Sequence, residues 1–235
     1  MRLLLLSNST RPGEEYLAWP RPFLRSFLGP SRLKVLFVPY AGVRMASAAY
    51  TASVRTVFER LGHTIVGAAE LPDPVRGLLE CDAVAVGGGN TFHLLARLYD
   101  TGLLDAIRDR ARAGMPYIGW SAGANVACPT IRTTNDMPIV EPPSLDALGL
   151  VPFQINAHFT DAAIPDHGGE TRRQRIEEFL VANPGREVVA LPESTGIEVG
   201  AGRAVPFGAA PVIVFRSGRE PREVAPGGTL LELRP

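Results

Sequence analysis

The segment that decides the fold is Pro116-Tyr117-Ile118-Gly119-Trp120-Ser121-Ala122-Gly123-Ala124-Asn125-Val126-Ala127. Its first half is an apolar run typical of a buried strand, and its second half is rich in small residues that suit a closely packed helix. The two halves meet in Gly-x-Ser-x-Gly, the pattern of a tight strand-to-helix turn that exposes a serine. The segment therefore predicts a strand, a turn and a helix with Ser121 at the turn.

Such a turn favours nucleophilic catalysis, because it directs the N-terminus of the following helix at the serine. Backbone N–H groups and the helix dipole can stabilise an oxyanion there, and the Ala122 N–H is the predicted first donor. The same pentapeptide also fits a turn whose serine merely caps the helix. The strand before it and the helix after it favour the catalytic interpretation.

A second turn follows another apolar strand in Val84-Ala85-Val86-Gly87-Gly88-Gly89-Asn90-Thr91. Its exposed backbone amides would suit a phosphate, but the sequence lacks the Gly-Lys-Ser/Thr ending of a P-loop. We predict that the Gly89 N–H is the second oxyanion donor, since ligands of open α/β sheets bind at the carboxyl ends of strands. A plain glycine turn before a helix capped by Asn90 or Thr91 is the alternative.

A serine needs a base at neutral pH, and the chain contains four histidines. His63 begins a strand, His93 lies inside a helix, and His167 falls in a stretch rich in Gly, Asp and Pro. His158 ends the apolar strand Phe153-Gln154-Ile155-Asn156-Ala157, which places it at the same sheet edge as Ser121. It is the predicted base.

Two residues could supply the acid that orients this base. Glu193 follows the strand Val188-Val189-Ala190-Leu191, and Asp136 lies in the long aperiodic loop 129–147. We favour Glu193, which leaves Asp136 to hold a substrate ammonium group or to support the loop. The sequence keeps both candidates open.

The rest of the chain predicts an α/β fold with one domain over residues 1–235. Apolar runs alternate with amphipathic segments, the pattern of a mostly parallel sheet between two layers of helices. The predicted strands are 2–6, 34–39, 64–68, 83–87, 116–119 and 187–191, and the predicted helices are 47–61, 91–113 (as one or two helices) and 169–182. From Gly196 onward, short β-prone pieces predict antiparallel hairpins at the edge of the sheet.

Composition excludes several classes of function. The 24 basic and 24 acidic residues leave no net charge to attract nucleic acid or an anionic membrane surface. The opening run of four leucines is too short for a membrane span or a signal-peptide core. Two cysteines, Cys81 and Cys128, fit a reducing cytosol rather than a disulfide framework.

Six separated blocks occur in a fixed order along the chain. They are Leu-Leu-Leu-Leu-Ser-Asn-Ser-Thr at 3–10, Gly-Gly-Gly-Asn-Thr-Phe at 87–92, Tyr-Ile-Gly-Trp-Ser-Ala-Gly-Ala-Asn at 117–125, Cys-Pro-Thr-Ile-Arg-Thr-Thr-Asn-Asp-Met-Pro-Ile-Val at 128–140, Gln-Ile-Asn-Ala-His-Phe-Thr at 154–160 and Gly-Glu-Thr-Arg-Arg-Gln-Arg-Ile at 169–176. Together they resemble the peptidase E family of serine peptidases. The resemblance implies a class I glutamine-amidotransferase-like, flavodoxin-like fold and a cytoplasmic enzyme that hydrolyses dipeptides with an N-terminal aspartate. It implies Ser121 as nucleophile and His158 as base, and it leaves the acid at Asp136 or Glu193.

An aspartyl substrate needs a fixed cation. The resemblance implies Arg172 for this role, Arg132 in the long loop is the alternative, and Asn90 and Asp136 are predicted as further substrate contacts. The expected partner is a small peptide, with no cofactor, metal, nucleic acid or membrane, and the sequence leaves open whether the enzyme is a homodimer. Two alternatives remain: a cyanophycinase-like or isoaspartyl-directed serine peptidase on the same fold, and a non-catalytic amidotransferase-like binding module.

Overall fold

Apolar runs become strands here because they are buried on both faces of a sheet. In the computed structural model, which describes residues 1–162 and 168–232, five of them form parallel strands in the order β3-β2-β4-β5-β1. Their bounds are β1 (Leu3–Leu6), β2 (Lys34–Val38), β3 (Thr64–Gly67), β4 (Ala83–Val86) and β5 (Tyr117–Trp120). The predicted α/β class is confirmed.

Helices cover both faces of this sheet. Leu3 and Leu5 contact the hydrophobic core on one face, whereas Leu4 and Leu6 contact the core on the other, as the two-residue period of a strand requires. The helices are α1 (Arg21–Leu28), α2 (Ser47–Arg60), α3 (Pro74–Leu79), α4 (Thr91–Asp100), α5 (Leu103–Arg112), α6 (Ala122–Asn125) and α7 (Arg172–Ala182), with a 3₁₀ turn at Ala68–Glu70. None of the helices in the described ranges combines the length and hydrophobicity needed to cross a bilayer.

The helices differ from prediction in two places. Both α1 and α3 were absent from the prediction, and each is short with a proline in its first turn. The second difference is that α7 begins at Arg172 rather than Gly169, since the Thr171 and Gln174 side chains close a capping box there. The segment 91–113, predicted as one or two helices, is two, because Gly102 between them adopts a left-handed φ of 70°.

The remaining strands extend this sheet and build a second one. β8 (Thr195–Gly200), β9 (Arg203–Gly208) and β12 (Leu231–Glu232) continue the large sheet antiparallel beyond β1. The second sheet has the order β11-β10-β7-β6, with β6 (Gln154–Phe159), β7 (Glu187–Pro192), β10 (Val212–Arg216) and β11 (Arg219–Val224). The predicted C-terminal hairpins are present, but they divide between the two sheets.

Candidate active site

Ser121 lies at the turn between β5 and α6 in a strained backbone conformation. Its φ of 53° and ψ of −113° fall outside the regions that non-glycine residues favour. The flanking glycines are required by close packing: a Cβ on Gly119 would lie 2.3 Å from the Gly123 carbonyl oxygen, and one on Gly123 would lie 2.1 Å from that of Val86. The turn therefore has the geometry that the Gly-x-Ser-x-Gly pattern predicts.

The side chains of Ser121, His158 and Glu193 form one hydrogen-bonded series. The Nε2 atom of His158 lies 2.9 Å from the Ser121 Oγ, and its Nδ1 lies 2.5 Å from the Glu193 Oε1. The two nitrogens of one imidazole therefore face an alcohol and a carboxylate. This arrangement can remove the serine proton and hold the resulting imidazolium beside a negative charge.

His158 reaches Ser121 from the second sheet, not from the sheet edge that the sequence predicted. β6 pairs regularly with β7 up to Asn156 and again at Phe159, and the irregularity between them contains His158. His158 has a left-handed φ of 56°, which turns the residue out of the regular strand. The prediction of a shared sheet edge was wrong, because β6 belongs to a separate sheet.

Ser7, directly after β1, holds the backbone of this irregular segment. Its hydroxyl donates to the Leu191 carbonyl oxygen at 2.8 Å and accepts from the His158 N–H at 2.9 Å. Ser7 is completely buried, so water cannot replace these bonds. One side chain of the large sheet therefore connects β6 and β7 beside the imidazole.

Asn8 holds Glu193 in the same way. Its Nδ2 donates to the Glu193 Oε2, and its Oδ1 accepts from the Ser194 N–H at 2.8 Å. Ser194 itself adopts a left-handed φ of 64°. The amide therefore fixes both the carboxylate and the backbone that carries it. Neither Ser7 nor Asn8 was among the residues predicted from the sequence, although two polar residues after a buried strand were a usable signal.

Gly88 and Gly89 lie against the serine turn. A Cβ on Gly88 would come 2.9 Å from the Ser121 Cβ, and one on Gly89, whose φ is 137°, would come 2.1 Å from the Ala41 carbonyl oxygen. The N–H groups of Gly88, Gly89 and Ala122 donate to no acceptor within residues 1–162 and 168–232. They are available to a negative oxygen bound next to Ser121.

Asp136 lies away from His158, at the N-terminus of α4. Its Oδ2 accepts from the Thr91 N–H at 2.8 Å and from the hydroxyls of Thr91 and Thr134 at 2.5 and 3.0 Å. Asn90 also belongs to this junction, because its Oδ1 accepts from the His93 N–H and its Nδ2 donates to the Met137 carbonyl. Both residues thus join the long loop to α4.

Arg172, at the start of α7, donates through Nη1 to the His158 carbonyl oxygen. Burial lowers the pKa of its guanidinium, nearby Arg175 lowers it further, and Glu193 opposes both effects. Arg172 therefore places a partly desolvated positive charge beside the His158 backbone and near Glu193.

His63 and His93 make their contacts elsewhere and do not approach Ser121. The Nδ1 of His63 accepts from the Leu33 N–H at 3.3 Å, and the Nδ1 of His93 lies 2.6 Å from the Tyr40 carbonyl oxygen. His167 lies outside the described residues. No three His, Cys, Asp or Glu side chains form a metal-binding group in the part of the chain that the structure describes.

A cavity of about 360 Å³ opens at the serine. Three polar residues that follow β1, the glycine turn and two tyrosines contribute to its lining. Its walls are Asn8, Ser9, Thr10, Tyr16, Gly42, Met45, Tyr50, Gly88, Gly89, Trp120, Ser121, His158 and Glu193. Arg172, Asn90 and Asp136 are not among these residues. The cavity is large enough for a small peptide.

Comparison with known proteins identifies the family. The model of peptidase family S51 matches residues 3–205. Peptidase E of a Nostoc species is 50% identical over 97% of this chain and 95% of its own length, and peptidase E of Salmonella gallinarum is 48% identical over 94% of each. The crystal structure of a peptidase from an acI-B1 Actinobacterium has the same fold, with a TM-score of 0.73, 19% identity and coverage of 97% of this chain and 96% of that one.

The matches extend over almost the whole chain, and they include the serine turn and the strands that carry His158 and Glu193. The chain belongs to peptidase family S51 and is a serine peptidase similar to peptidase E.

Proposed function

We propose that this enzyme is a cytoplasmic dipeptidase that hydrolyses Asp-X dipeptides through Ser121, His158 and Glu193. The observation that carries the proposal is the pair of contacts made by one imidazole, to Ser121 Oγ on one side and to Glu193 Oε1 on the other. A neutral serine hydroxyl is a weak nucleophile, and an adjacent base of this kind activates it. The two buried free cysteines agree with a reducing compartment.

In the proposed mechanism, Ser121 attacks the carbonyl carbon that follows the N-terminal aspartate while His158 takes the serine proton. The N–H groups of Gly89 and Ala122 stabilise the oxyanion that forms. His158 then gives the proton to the leaving amine, and the second amino acid departs. Water activated by His158 hydrolyses the acyl-enzyme and releases aspartate.

Replacement of Ser121 by alanine tests this mechanism. We expect the Ser121→Ala protein to lose roughly 10³-fold or more in kcat on Asp-Leu, because no nucleophile remains, while its thermal unfolding stays close to that of the wild type. The measurement is leucine release by the purified, folded variant. Activity within tenfold of the wild type would exclude Ser121 as the nucleophile.

Arg172 remains the predicted partner of the substrate aspartyl carboxylate. Its support is the partly desolvated guanidinium next to His158. Because binding of a carboxylate depends on this charge, Arg172→Met should reduce the preference for Asp-Leu over Asn-Leu by roughly 10-fold to 100-fold. The measurement is the ratio of kcat/KM for the two dipeptides.

Arg175→Met is the matched control, since Arg175 lies on the same helix and its side chain is exposed. Its Nε is 3.9 Å from the Glu170 Oε2. This variant should keep the wild-type preference. An unchanged ratio in Arg172→Met would assign the aspartyl carboxylate to another residue. A panel that includes β-Asp-Arg separates the proposed activity from an isoaspartyl-directed one.

A further inference from the structure

Tyr50 lies beside the serine turn, and no sequence motif marks it as a functional residue. Its hydroxyl donates to the Gly88 carbonyl oxygen at 3.1 Å. It accepts from the Trp120 indole N–H at 3.1 Å and from the Tyr16 hydroxyl at 3.3 Å. One proton and two lone pairs are all that a phenol hydroxyl offers, so its hydrogen-bonding capacity is fully used.

The ring of Tyr50 is held as firmly as its hydroxyl. Phe37 packs edge-on against it at 5.0 Å and stacks on Trp120 at 5.8 Å, and the Tyr50 side chain is buried. Burial also raises the pKa of the Tyr50 hydroxyl, which keeps it protonated and able to donate at neutral pH. The Tyr50 hydroxyl therefore has a fixed position next to the glycine turn.

The Gly88 carbonyl belongs to the same peptide unit as the Gly89 N–H. The structure contains no cis peptide bond within the described ranges, so this unit is trans, and its C=O and N–H point in opposite directions. The hydrogen bond that holds the Gly88 carbonyl against the Tyr50 hydroxyl therefore also fixes the direction of the Gly89 N–H. Without it, two neighbouring glycines would leave this peptide unit free to rotate.

The packing around the glycine turn also brings the Tyr50 hydroxyl into contact with the backbone near Gly89. A Cβ on Gly87 would lie 2.7 Å from the Tyr50 hydroxyl oxygen, so the hydroxyl rests directly on the turn. Trp120, one of the two residues that donate to the Tyr50 hydroxyl, directly precedes Ser121. The same hydroxyl is thus bonded to the backbone turn that carries Gly89 and to the strand that carries the serine.

We propose that Tyr50 is a positioning residue which, through its bond to the Gly88 carbonyl, orients the Gly89 N–H toward the oxyanion formed at Ser121. This proposal rests on the proposed function, because it assumes that Ser121 is acylated and that Gly89 supplies an oxyanion donor. Tyr50 acts through the backbone and touches no reacting atom.

The test is Tyr50→Phe, which removes the hydroxyl and keeps the ring. We expect kcat on Asp-Leu to fall about 10-fold to 100-fold with little change in KM, a smaller loss than the roughly 10²–10³-fold cost of deleting an oxyanion donor outright. A peptide aldehyde with an aspartyl residue provides the decisive readout. The Ser121 Oγ attacks the aldehyde carbon and forms a hemiacetal, whose oxygen occupies the oxyanion position. The product aspartate forms no such adduct and places no oxygen there.

The aldehyde should bind Tyr50→Phe more weakly by the same factor as the fall in kcat, and aspartate should bind within about twofold of wild type. Tyr99→Phe is the matched control, because the Tyr99 hydroxyl also donates to a backbone carbonyl, that of Asp146 at 3.0 Å, on the exposed surface. Tyr16→Phe removes one hydrogen bond to the Tyr50 hydroxyl. It should also weaken binding of the aldehyde more than binding of aspartate, but by a smaller factor, and it tests the proposal if Tyr50→Phe is unstable.

Two results would overturn the proposal. One is wild-type kcat and aldehyde affinity in Tyr50→Phe, and the other is an equal loss of affinity for the aldehyde and for aspartate, which would indicate a distorted cavity. If Ser121→Ala is active, the proposed function itself fails. If Ser121→Ala is inactive while Tyr50→Phe equals wild type, only the inference about Tyr50 fails.

Discussion

At the scale of single residues, two carboxylates are candidates for the acid that orients His158, and the structure gives them different contacts. Glu193 contacts the His158 Nδ1, and Asp136 accepts three hydrogen bonds at the start of α4. The Glu193 side chain is about half exposed, so its environment costs little desolvation. Its position beside the imidazole, rather than burial, is what suits Glu193 to orient the base.

Paired variants distinguish the two acids. Glu193→Gln should lower kcat by roughly 10²–10⁴-fold, because an amide cannot stabilise the imidazolium, and leave the melting temperature nearly unchanged. Asp136→Asn should do the reverse: it removes the negative charge that accepts three hydrogen bonds at the N-terminus of α4, which costs about 1 kcal/mol of folding free energy, with a smaller loss of kcat. Steady-state kinetics and thermal unfolding of both proteins check this. A larger kcat loss in Asp136→Asn would reverse the assignment.

At the scale of elements, His63 joins the end of α2 to β3 and contacts the start of β2. Its ring is buried, its Nδ1 accepts from the Leu33 N–H, and its Nε2 has no partner among the described residues. Burial lowers the pKa of His63 below its ordinary value of 6.5. The junction between these elements is therefore built around a neutral imidazole.

This junction should make folding stability depend on pH. As the pH falls through 6.5, the unfolded chain takes up a proton at His63 before the folded protein does, so the free energy of unfolding decreases toward the lower folded pKa. Above this pH range, His63 no longer makes the free energy of unfolding depend on pH. His63→Asn keeps an acceptor for Leu33 and should flatten this part of the curve. Chemical denaturation of both proteins between about pH 5 and pH 8 measures it; parallel curves would contradict the prediction.

At the scale of the whole molecule, the active site depends on contacts between two sheets. Ser121 is carried by the large sheet, and His158 and Glu193 belong to the second sheet or to the turn after β7. Ser7 and Asn8 extend from β1 into this junction and bond to β6, β7 and the residues after β7. We propose that the two sheets unfold together as one domain, because the buried side chains of Ser7 and Asn8 hydrogen-bond the end of β1 to β6, β7 and the turn after β7.

Ser7→Ala tests the junction. It leaves the Leu191 carbonyl and the His158 N–H without their buried partner, which should cost about 1–3 kcal/mol of folding free energy. It should also reduce kcat, since the irregular backbone at His158 loses its support. Denaturant unfolding and kinetics on Asp-Leu measure both effects. Ser53→Ala, the same change at an exposed position of α2 that does not line the cavity, should alter neither; equal effects of the two changes would contradict the assignment.

The sequence by itself determined the serine turn, the glycine turn and the α/β class, because each is encoded locally by glycine spacing and apolar runs. It also selected His158 and favoured Glu193, since both end or follow apolar strands. Only the tertiary structure decided that His158 arrives from a second sheet, that Glu193 rather than Asp136 contacts it, and that Ser7, Asn8 and Tyr50 hydrogen-bond to the segments around the site. These facts depend on contacts between residues more than 30 positions apart, which no local pattern specifies.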